Sequence, residues 1–402
     1  MHLNKNKIWA VLFFFVVVLL IFSMGFIVGN FVDLSFQLSH QIVQKEKIDS
    51  EQIKALNQVW EIIHNEFLNQ PVDEQLLIRG AIRGMAESLN DPYSSYMNPE
   101  EYRSQNAPLK GEYTGIGAWV DTSGELLVIL SPMPNSPAET IGIKPGDEVV
   151  AIDGNDMTIL QPAQVLEKIL GPAGTKISLS IKRKDIEEIL EFELERAVIP
   201  IPSVESEVLE GNIGYIRLYT FGDQSTREFK QALNNMIEQQ VNGLIFDLRN
   251  NTGGYVNTAI EITSLFIPDG VVMVEEWGDG SQTQYETVGK ALDTSTPLVI
   301  LVNEGTASAS EITAGALQDY ERATLIGTST FGKGFIQNWV PLRDENGALR
   351  ITIARWLTPK GRQIEEFGLT PDITVTITDR DIQKKNDSQL NRALLYLSNL
   401  IK

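Results

Sequence analysis

The chain has 402 residues, a formal net charge of −20 and no cysteine. Its length is enough for two or three domains, and its acidic balance argues against a nucleic-acid-binding surface, which is normally basic. A sequence without cysteine excludes disulfides, thiolate zinc sites and a cysteine nucleophile.

An uncharged apolar run at residues 8–29 follows Lys5 and Lys7. Its length suits a bilayer span, and the lysines before it predict a cytoplasmic N-terminus with the rest of the chain outside. A cleaved signal peptide is the alternative, which would make the protein secreted. We favour an anchor at residues 1–30, because no clear A-x-A site follows the run. This predicts membrane attachment at the cell surface or in the periplasm.

Residues 31–107 are predicted to form a helical region. Apolar residues recur at helical spacing in 45–68 and again in 73–89, and Pro71 separates the two helices. A further helix is predicted within residues 379–402, where leucines recur at the same spacing. These helices are interpreted as packing or homodimer surfaces, and His64 on the first is not expected to be functional.

Residues 113–130 are predicted to form two strands around a turn at 122–124. Gly115, Ile116 and Gly117 at the start of the first strand favour either an anion-binding nest of backbone N–H groups or a closely packed strand. The following segment, SPAETIGIKPGDEVVAIDG at 136–154, resembles a PDZ domain. The resemblance implies a module at 108–197 that adds a peptide's C-terminal strand to a sheet edge and holds its carboxylate with Gly115, Ile116 and Gly117. A helix at 164–170 would flank the groove.

From Ile213 onward, strand and helix patterns alternate. This predicts an α/β core at 198–378 whose inner strands are covered on both faces. Gly253 and Gly254 follow a buried strand, and they favour either a tight turn or N–H groups open to a ligand oxygen. The predicted elements are strands at 214–218, 243–248, 298–302, 323–327, 335–340 and 349–357 and helices at 226–239 and 257–266.

Ser308 lies in a turn of small residues between the strand at 298–302 and a helix pattern that includes Ile312. With Glu311 it fits a capping box, so one interpretation is a helix cap. The other is a nucleophile, because a strand, a tight turn and a helix can hold one hydroxyl at the mouth of a site.

Lys333 lies in a stretch, 327–333, that nearly matches a phosphate-binding loop. Position 334 is glycine, however, and the residues that follow predict a strand where a phosphate-binding loop requires a helix. All three histidines lie within the first 64 residues, so the later chain must use another base. Lys333 is either a solvated loop lysine or an amine enclosed by Phe331 and Phe335, which would lower its pKa.

GTASASEI, FGKGFIQ, DLRNNTGG and the PDZ pattern together resemble the carboxyl-terminal processing peptidases, serine proteases of the S41 type. AIRGMAESLNDPYSSYMNPEEY at 81–102 is similar to the N-terminal helical region of that family. The resemblance implies a multidomain α/β fold whose peptidase core is of the ClpP/crotonase-like type, without metal or cofactor. By resemblance, the nucleophile is Ser308, the general base Lys333, the residue orienting that base Gln337, and the oxyanion donors Ala309 and Gly254.

One position departs from the family pattern. An arginine often precedes the glycine that corresponds to Gly171 and is implicated in coupling the PDZ domain to the active site, whereas this chain has Leu170. The sequence therefore predicts an endopeptidase that recognises accessible C-termini of protein or peptide substrates, and it leaves open whether the PDZ domain inhibits or activates. The alternatives are an inactive PDZ adaptor on a peptidase-like core and a different enzyme on that core, such as an acyl-CoA enzyme.

Overall fold

The computed structural model describes residues 50–184 and 186–401. The apolar run at 8–29 lies outside these residues. Within the described part, none of the helices is long and apolar enough to cross a membrane. The described residues up to Leu77 and those from Ile78 onward form two compact units, and each is described by itself.

The first unit contains helix Ser50–Glu66 and the start of helix Glu74–Glu87. His64 has local partners: its Nδ1 lies 2.8 Å from the carbonyl oxygen of Trp60, and its Nε2 lies 3.7 Å from the Glu74 carboxylate. The helix exposes several apolar side chains to solvent, namely those of Ile53, Leu56, Val59 and Ile62.

The second unit is built from mixed helices and strands. The strands are β1 (Ser95–Met97), β2 (Glu112–Gly115), β3 (Ala118–Asp121), β4 (Leu127–Pro132), β5 (Glu148–Ile152), β6 (Asn155–Asp156), β7 (Lys176–Lys182), β8 (Leu190–Glu195), β9 (Ala197–Pro200), β10 (Val204–Leu209), β11 (Ile213–Leu218), β12 (Gly243–Asp247), β13 (Val271–Trp277), β14 (Gln282–Glu286), β15 (Leu298–Val302), β16 (Ala323–Gly327), β17 (Phe335–Pro341), β18 (Ala348–Leu357) and β19 (Ile373–Thr374). The longer helices are Pro99–Lys110, Pro162–Ile169, Ser225–Glu238, Val256–Ser264, Ala309–Asp319 and Ser388–Leu400, and the short ones are Pro137–Thr140 and Asp379–Gln383.

The segment predicted to be a PDZ domain forms a sheet of order β3-β4-β5-β7-β8, with β6 beside β5. The single strand expected at its start is divided in two: β2 pairs with β9, and β3 pairs with β4. The break lies at Ile116 and Gly117, where Gly117 has φ +76° and a Cβ would lie 2.3 Å from the Cβ of Ser136. Glycine adopts this positive φ without strain and leaves room for Ser136, so the chain can turn here from one sheet into the other.

The core sheet has the order β10-β11-β12-β15-β16-β19. Its strands β11, β12, β15, β16 and β19 are parallel, and β10 is antiparallel to β11. Both faces of its inner strands are covered, as expected for a parallel sheet. Alternate residues such as Phe246 and Ile300 pack against three helices on one face, whereas Ile245 and Val299 face the C-terminal helix on the other. The loops after β12 and β15 therefore meet at one edge, where ligands bind in open α/β sheets.

A second, antiparallel sheet lies beside the core, with the order β1-β18-β13-β14 and β17 paired to β18. The sequence pattern predicts β17 and β18 as strands but does not indicate which sheet they join. Trp356 of β18 is buried, and its indole Nε1 donates to the carbonyl oxygen of Lys333 at 2.9 Å. This contact fixes the start of β17 against the core.

An ion-pair cluster fastens the C-terminal helix beneath the loop that follows β12. Asp247, fully buried at the end of β12, accepts from the Arg249 guanidinium at 2.6 Å and from the Tyr215 hydroxyl at 2.7 Å. Arg249 also contacts Asp387, the N-cap of helix Ser388–Leu400, at 2.9 Å. Burial opposes ionisation of Arg249, but its bonds to the two carboxylates raise its pKa.

Candidate active site

Ser308 is the N-cap of helix Ala309–Asp319 and has φ +56° and ψ −118°. Such a conformation is strained for a residue with a Cβ, and strain of this kind concentrates at functional sites. Glu311 reaches back to the N–H of Ser308 at 2.9 Å, as a capping box requires, whereas the Ser308 hydroxyl makes no cap hydrogen bond. The hydroxyl is therefore free to face the cleft.

The glycine pair after β12 packs directly against this turn. A Cβ at Gly253 would lie 2.9 Å from the nitrogen of Ala309 and 2.9 Å from the Cβ of Ser308. The N–H of Gly253 donates to the side chain of Asn251 at 2.9 Å. The N–H groups of Gly254 and Ala309 have no hydrogen-bond acceptor among the residues that the structure describes. Both are available to a ligand oxygen, and Ala309 supplies the first N–H of a helix.

Lys333 precedes β17 and lies half-buried in the same cleft as Ser308, Gln337 and Gly254, a cavity of 580 Å³. Burial lowers the pKa of Lys333, the positive charge of Arg350 lowers it further, and Glu311 opposes the shift. A neutral amine in reach of an alcohol can act as its base.

Glu311 connects the nucleophile turn to the lysine loop. Its side chain is fully buried and accepts hydrogen bonds from the Thr330 hydroxyl at 2.5 Å, the Gly332 N–H at 2.7 Å and the Lys333 N–H at 3.0 Å. Burial raises the pKa of this carboxyl, while the hydrogen bonds oppose the shift. The sequence shows Glu311 only as a capping residue, because its second set of partners lies about 20 residues further along the chain.

Two expectations about the lysine environment differ from the structure. Gln337 lines the cleft, but none of the hydrogen bonds among the described residues joins its side chain to the Lys333 amine, and its buried Nε2 has no partner there. Phe331 is 56% exposed and does not line the cleft, whereas Phe335 does. The N–H of Phe331 donates to the carbonyl oxygen of Thr306 at 2.9 Å, which joins the lysine loop to the turn before Ser308.

The remaining predicted site residues, Gly115, Ile116 and Gly117, lie at the junction of β2 and β3, apart from the cleft. The carbonyl oxygen of Ile116 accepts from the Ala138 N–H at 2.9 Å. A Cβ at Gly115 would lie 3.3 Å from the Leu170 side chain. The next strand, β3, is the edge of its sheet.

Sequence reasoning missed three side chains near the lysine: Tyr93, Arg350 and Trp356. Arg350 and Trp356 belong to β18, and Tyr93 lies just before β1. Tyr93 lies within the stretch at 81–102 that resembles the family's N-terminal region, but nothing in the sequence places it at the lysine. Pairing of β1 and β17 with β18 brings the three side chains to the site.

Family models match three parts of the chain. Residues 26–101 match the N-terminal domain of the activating protease CtpB, residues 128–183 match a PDZ domain, and residues 212–375 match peptidase family S41. The chain is also similar to a solved S41 protease from Bacteroides fragilis, with a TM-score of 0.50, 16% identity and coverage of 85% of this chain and 96% of that one. This likeness shows a shared fold.

Curated relatives extend the similarity over most of the sequence. The chain is 36% identical to the carboxy-terminal-processing protease of Bartonella bacilliformis over 357 residues, which are 87% of this chain and 81% of that protein. It is 36% identical to the carboxyl-terminal-processing protease of Synechocystis over 351 residues, 85% of this chain and 82% of that protein. The chain therefore belongs to the carboxy-terminal processing proteases, serine-type peptidases of family S41.

Proposed function

We propose that this peptidase uses Ser308 as its nucleophile and neutral Lys333 as its general base, and that its PDZ domain selects substrates by their free C-termini. One observation carries the catalytic part: a strained serine whose hydroxyl has no cap partner lines the same cleft as a lysine whose pKa burial lowers.

In the proposed reaction, the Ser308 hydroxyl attacks the scissile carbonyl while Lys333 removes its proton. The N–H groups of Ala309 and Gly254 stabilise the oxyanion, and loss of such a donor typically costs about 10²–10³-fold in rate. The Lys333 ammonium then protonates the leaving amine, and water hydrolyses the acyl-enzyme. A small rotation of Gln337 would let its side-chain oxygen accept from the amine and direct the lone pair at Ser308.

The proposed recognition of C-termini uses the edge of the PDZ sheet. The edge strand β3 leaves backbone groups free to pair with an added peptide strand. The N–H groups of Gly115, Ile116 and Gly117, directly before β3, would hold the terminal carboxylate. Leu170 beside Gly115 would contact the last side chain of the peptide.

We further propose that residues 8–29 anchor the protein, so that it cleaves extracytoplasmic substrates, and that it forms a homodimer. The sequence alone supports the anchor. The exposed apolar side chains of helix Ser50–Glu66 support a dimer through the helical regions. Membrane fractionation tests the anchor, and sedimentation in detergent tests the dimer.

The central test uses the full-length chain in detergent and a protein substrate with either a free or an amidated C-terminus. Wild type should cleave the free form faster, and both Ser308→Ala and Lys333→Ala should leave the substrate intact. Full activity of Lys333→Ala would refute the proposed base. Equal cleavage of both substrates would refute selection by the C-terminus.

A further inference from the structure

An aromatic side chain from outside the peptidase core lies against the lysine. The Lys333 Nζ is 5.8 Å from the centroid of the Tyr93 ring, and that ring lies 5.6 Å from the ring of Phe335. A cation within about 6 Å of an aromatic face is attracted by the ring quadrupole. Tyr93 falls within the part of the chain that matches the N-terminal domain model, but it contacts the peptidase site.

The segment around Tyr93 is held in place by hydrogen bonds on both sides. Arg350 Nε donates to the carbonyl oxygen of Tyr93 at 3.0 Å, and Thr352 N–H donates to the Ser94 hydroxyl at 3.0 Å. Asp91 accepts from the Tyr93 N–H at 3.0 Å and from the Ser94 hydroxyl at 2.5 Å. Burial opposes ionisation of Asp91, but these bonds lower its pKa. The ring therefore sits on a fixed piece of backbone.

Three side chains face the Lys333 amine with a charge or an aromatic surface. Arg350 on β18 repels an ammonium, Glu311 attracts it from helix Ala309–Asp319, and Tyr93 attracts it from the segment before β1. Glu311 is occupied by four hydrogen bonds to the two loops. The Tyr93 ring adds a second attraction, 5.8 Å from the Lys333 Nζ, to that of the Glu311 charge.

We infer that Tyr93 is a positioning residue for the base: its ring orients the Lys333 amine and stabilises the ammonium that forms during catalysis. The inference rests on the proposed Ser308–Lys333 chemistry. As the Ser308 oxygen bonds to the substrate carbonyl carbon, its proton moves to the Lys333 nitrogen, and it leaves later with the departing amine. The ring stabilises the protonated form most, so it lowers the barrier to this transfer.

The test compares Tyr93→Leu and Tyr93→Phe with wild type by kcat/KM across pH. In Tyr93→Leu, the plateau value of kcat/KM, at pH above the acid limb, should fall about 2–30-fold, because the ammonium that forms loses its partner. The midpoint of the acid limb should move to lower pH by about 0.4–1.5 pH units for the same reason. Tyr93→Phe keeps the ring and should retain both values. If the leucine variant unfolds, Tyr93→Met keeps more of the buried volume and gives the same readouts.

A control and two further results make the test decisive. Phe192→Leu removes a ring at the same 5.8 Å from Arg183, on the PDZ strand farthest from β3, and should leave the profile unchanged. An unchanged profile in Tyr93→Leu overturns the inference, and so does a midpoint that moves to higher pH, which would show that water enters a loosened site. An active Lys333→Ala rejects the base itself, whereas an inactive Lys333→Ala beside a normal Tyr93→Leu rejects only the role of Tyr93.

Discussion

The same four-residue pattern starts a helix in both the PDZ domain and the peptidase core, with opposite results for the serine. Ser136 has φ −85°, and its hydroxyl accepts from the N–H of Glu139 at 3.1 Å. Ser308 has φ +56°, and its hydroxyl makes no cap hydrogen bond. A glycine from another loop lies close to each serine, Gly117 to Ser136 and Gly253 to Ser308, and a Cβ on either glycine would clash with the serine Cβ.

The two glutamates also differ in burial and in partners. Glu139 is exposed and reaches only its neighbouring turn, where it accepts from the Asn135 N–H at 2.6 Å. Glu311 is fully buried and accepts from two loops at once. In the core, Glu311 joins the serine turn to the lysine loop, and its own N–H donates to the carbonyl oxygen of Ser308 at 2.8 Å. A serine–glutamate pattern thus predicts where a helix starts, but its tertiary contacts decide whether the serine is a cap.

Exchange of the two serines for alanine should give the largest contrast. Ser308→Ala should reduce kcat/KM by on the order of 10⁵-fold or more, with thermal stability nearly unchanged, because it removes a nucleophile and no cap bond. Ser136→Ala should keep proteolysis of an amidated substrate and cost about 1 kcal/mol of PDZ stability. Activity assays and thermal unfolding measure both, and residual activity in Ser308→Ala would break the comparison.

Each region also contains an arginine beside a fully buried aspartate, Arg183 with Asp147 in the PDZ domain and Arg249 with Asp247 in the core. Arg249→Ala should lower the free energy of unfolding by about 3–5 kcal/mol, because it leaves a buried carboxylate unpaired and releases Asp387. Arg183→Ala should cost about 1–3 kcal/mol. Denaturant unfolding tests the order, and equal losses would show that the C-terminal helix does not depend on Arg249.

Amide substitution of the two glutamates sharpens the comparison. Glu311→Gln should cost about 1–3 kcal/mol of stability and lower kcat/KM, because the amide N–H₂ turns toward backbone N–H donors in a buried site. Glu139→Gln should change stability by less than about 0.5 kcal/mol, since solvent reaches this residue. Denaturant unfolding and kinetic measurements on both variants test this prediction. A larger loss of stability in Glu139→Gln than in Glu311→Gln would contradict the proposed role of Glu311.

The smallest predicted effect concerns pH. Lys176 in the PDZ domain is exposed, and Glu193 raises its pKa, whereas burial and Arg350 lower that of Lys333. Only neutral Lys333 accepts a proton, so activity should rise as pH increases through its pKa, which lies below the ordinary 10.5. Arg350→Gln removes a like charge, favours the ammonium and should move the acid limb to higher pH, whereas Glu193→Gln should not move it. A shift in the opposite direction for Arg350→Gln would contradict the electrostatic account.

Much of the fold follows from local patterns. Five consecutive apolar residues predict strand Leu298–Val302, and the structure has that strand, completely buried. The break at Ile116 and Gly117 was not predictable, because the close approach of Ser136, 19 positions further along the chain, to Gly117 is a tertiary contact. The spacing of apolar residues and the residue types in turns predict local structure. A strand break at a contact between residues far apart in the sequence is not visible in those patterns.

The site shows the same division. The residues predicted as nucleophile and base line one cleft, which the strand-to-turn motifs anticipated. The bond from Gln337 to Lys333 and the enclosure of the amine by Phe331 are not present, and Tyr93, Arg350 and Trp356 form the lysine environment instead. Pairing across β18 brings these side chains together, and no spacing in the sequence encodes that pairing.

The most direct measurement is the rate at which a serine-reactive acylating probe labels Ser308, followed by peptide mass spectrometry as a function of pH. Wild type should be labelled with an acid limb whose midpoint lies below 10.5, and Lys333→Met should be labelled at the background rate at every pH. Labelling of Ser308 at the wild-type rate in Lys333→Met would contradict a lysine-activated serine.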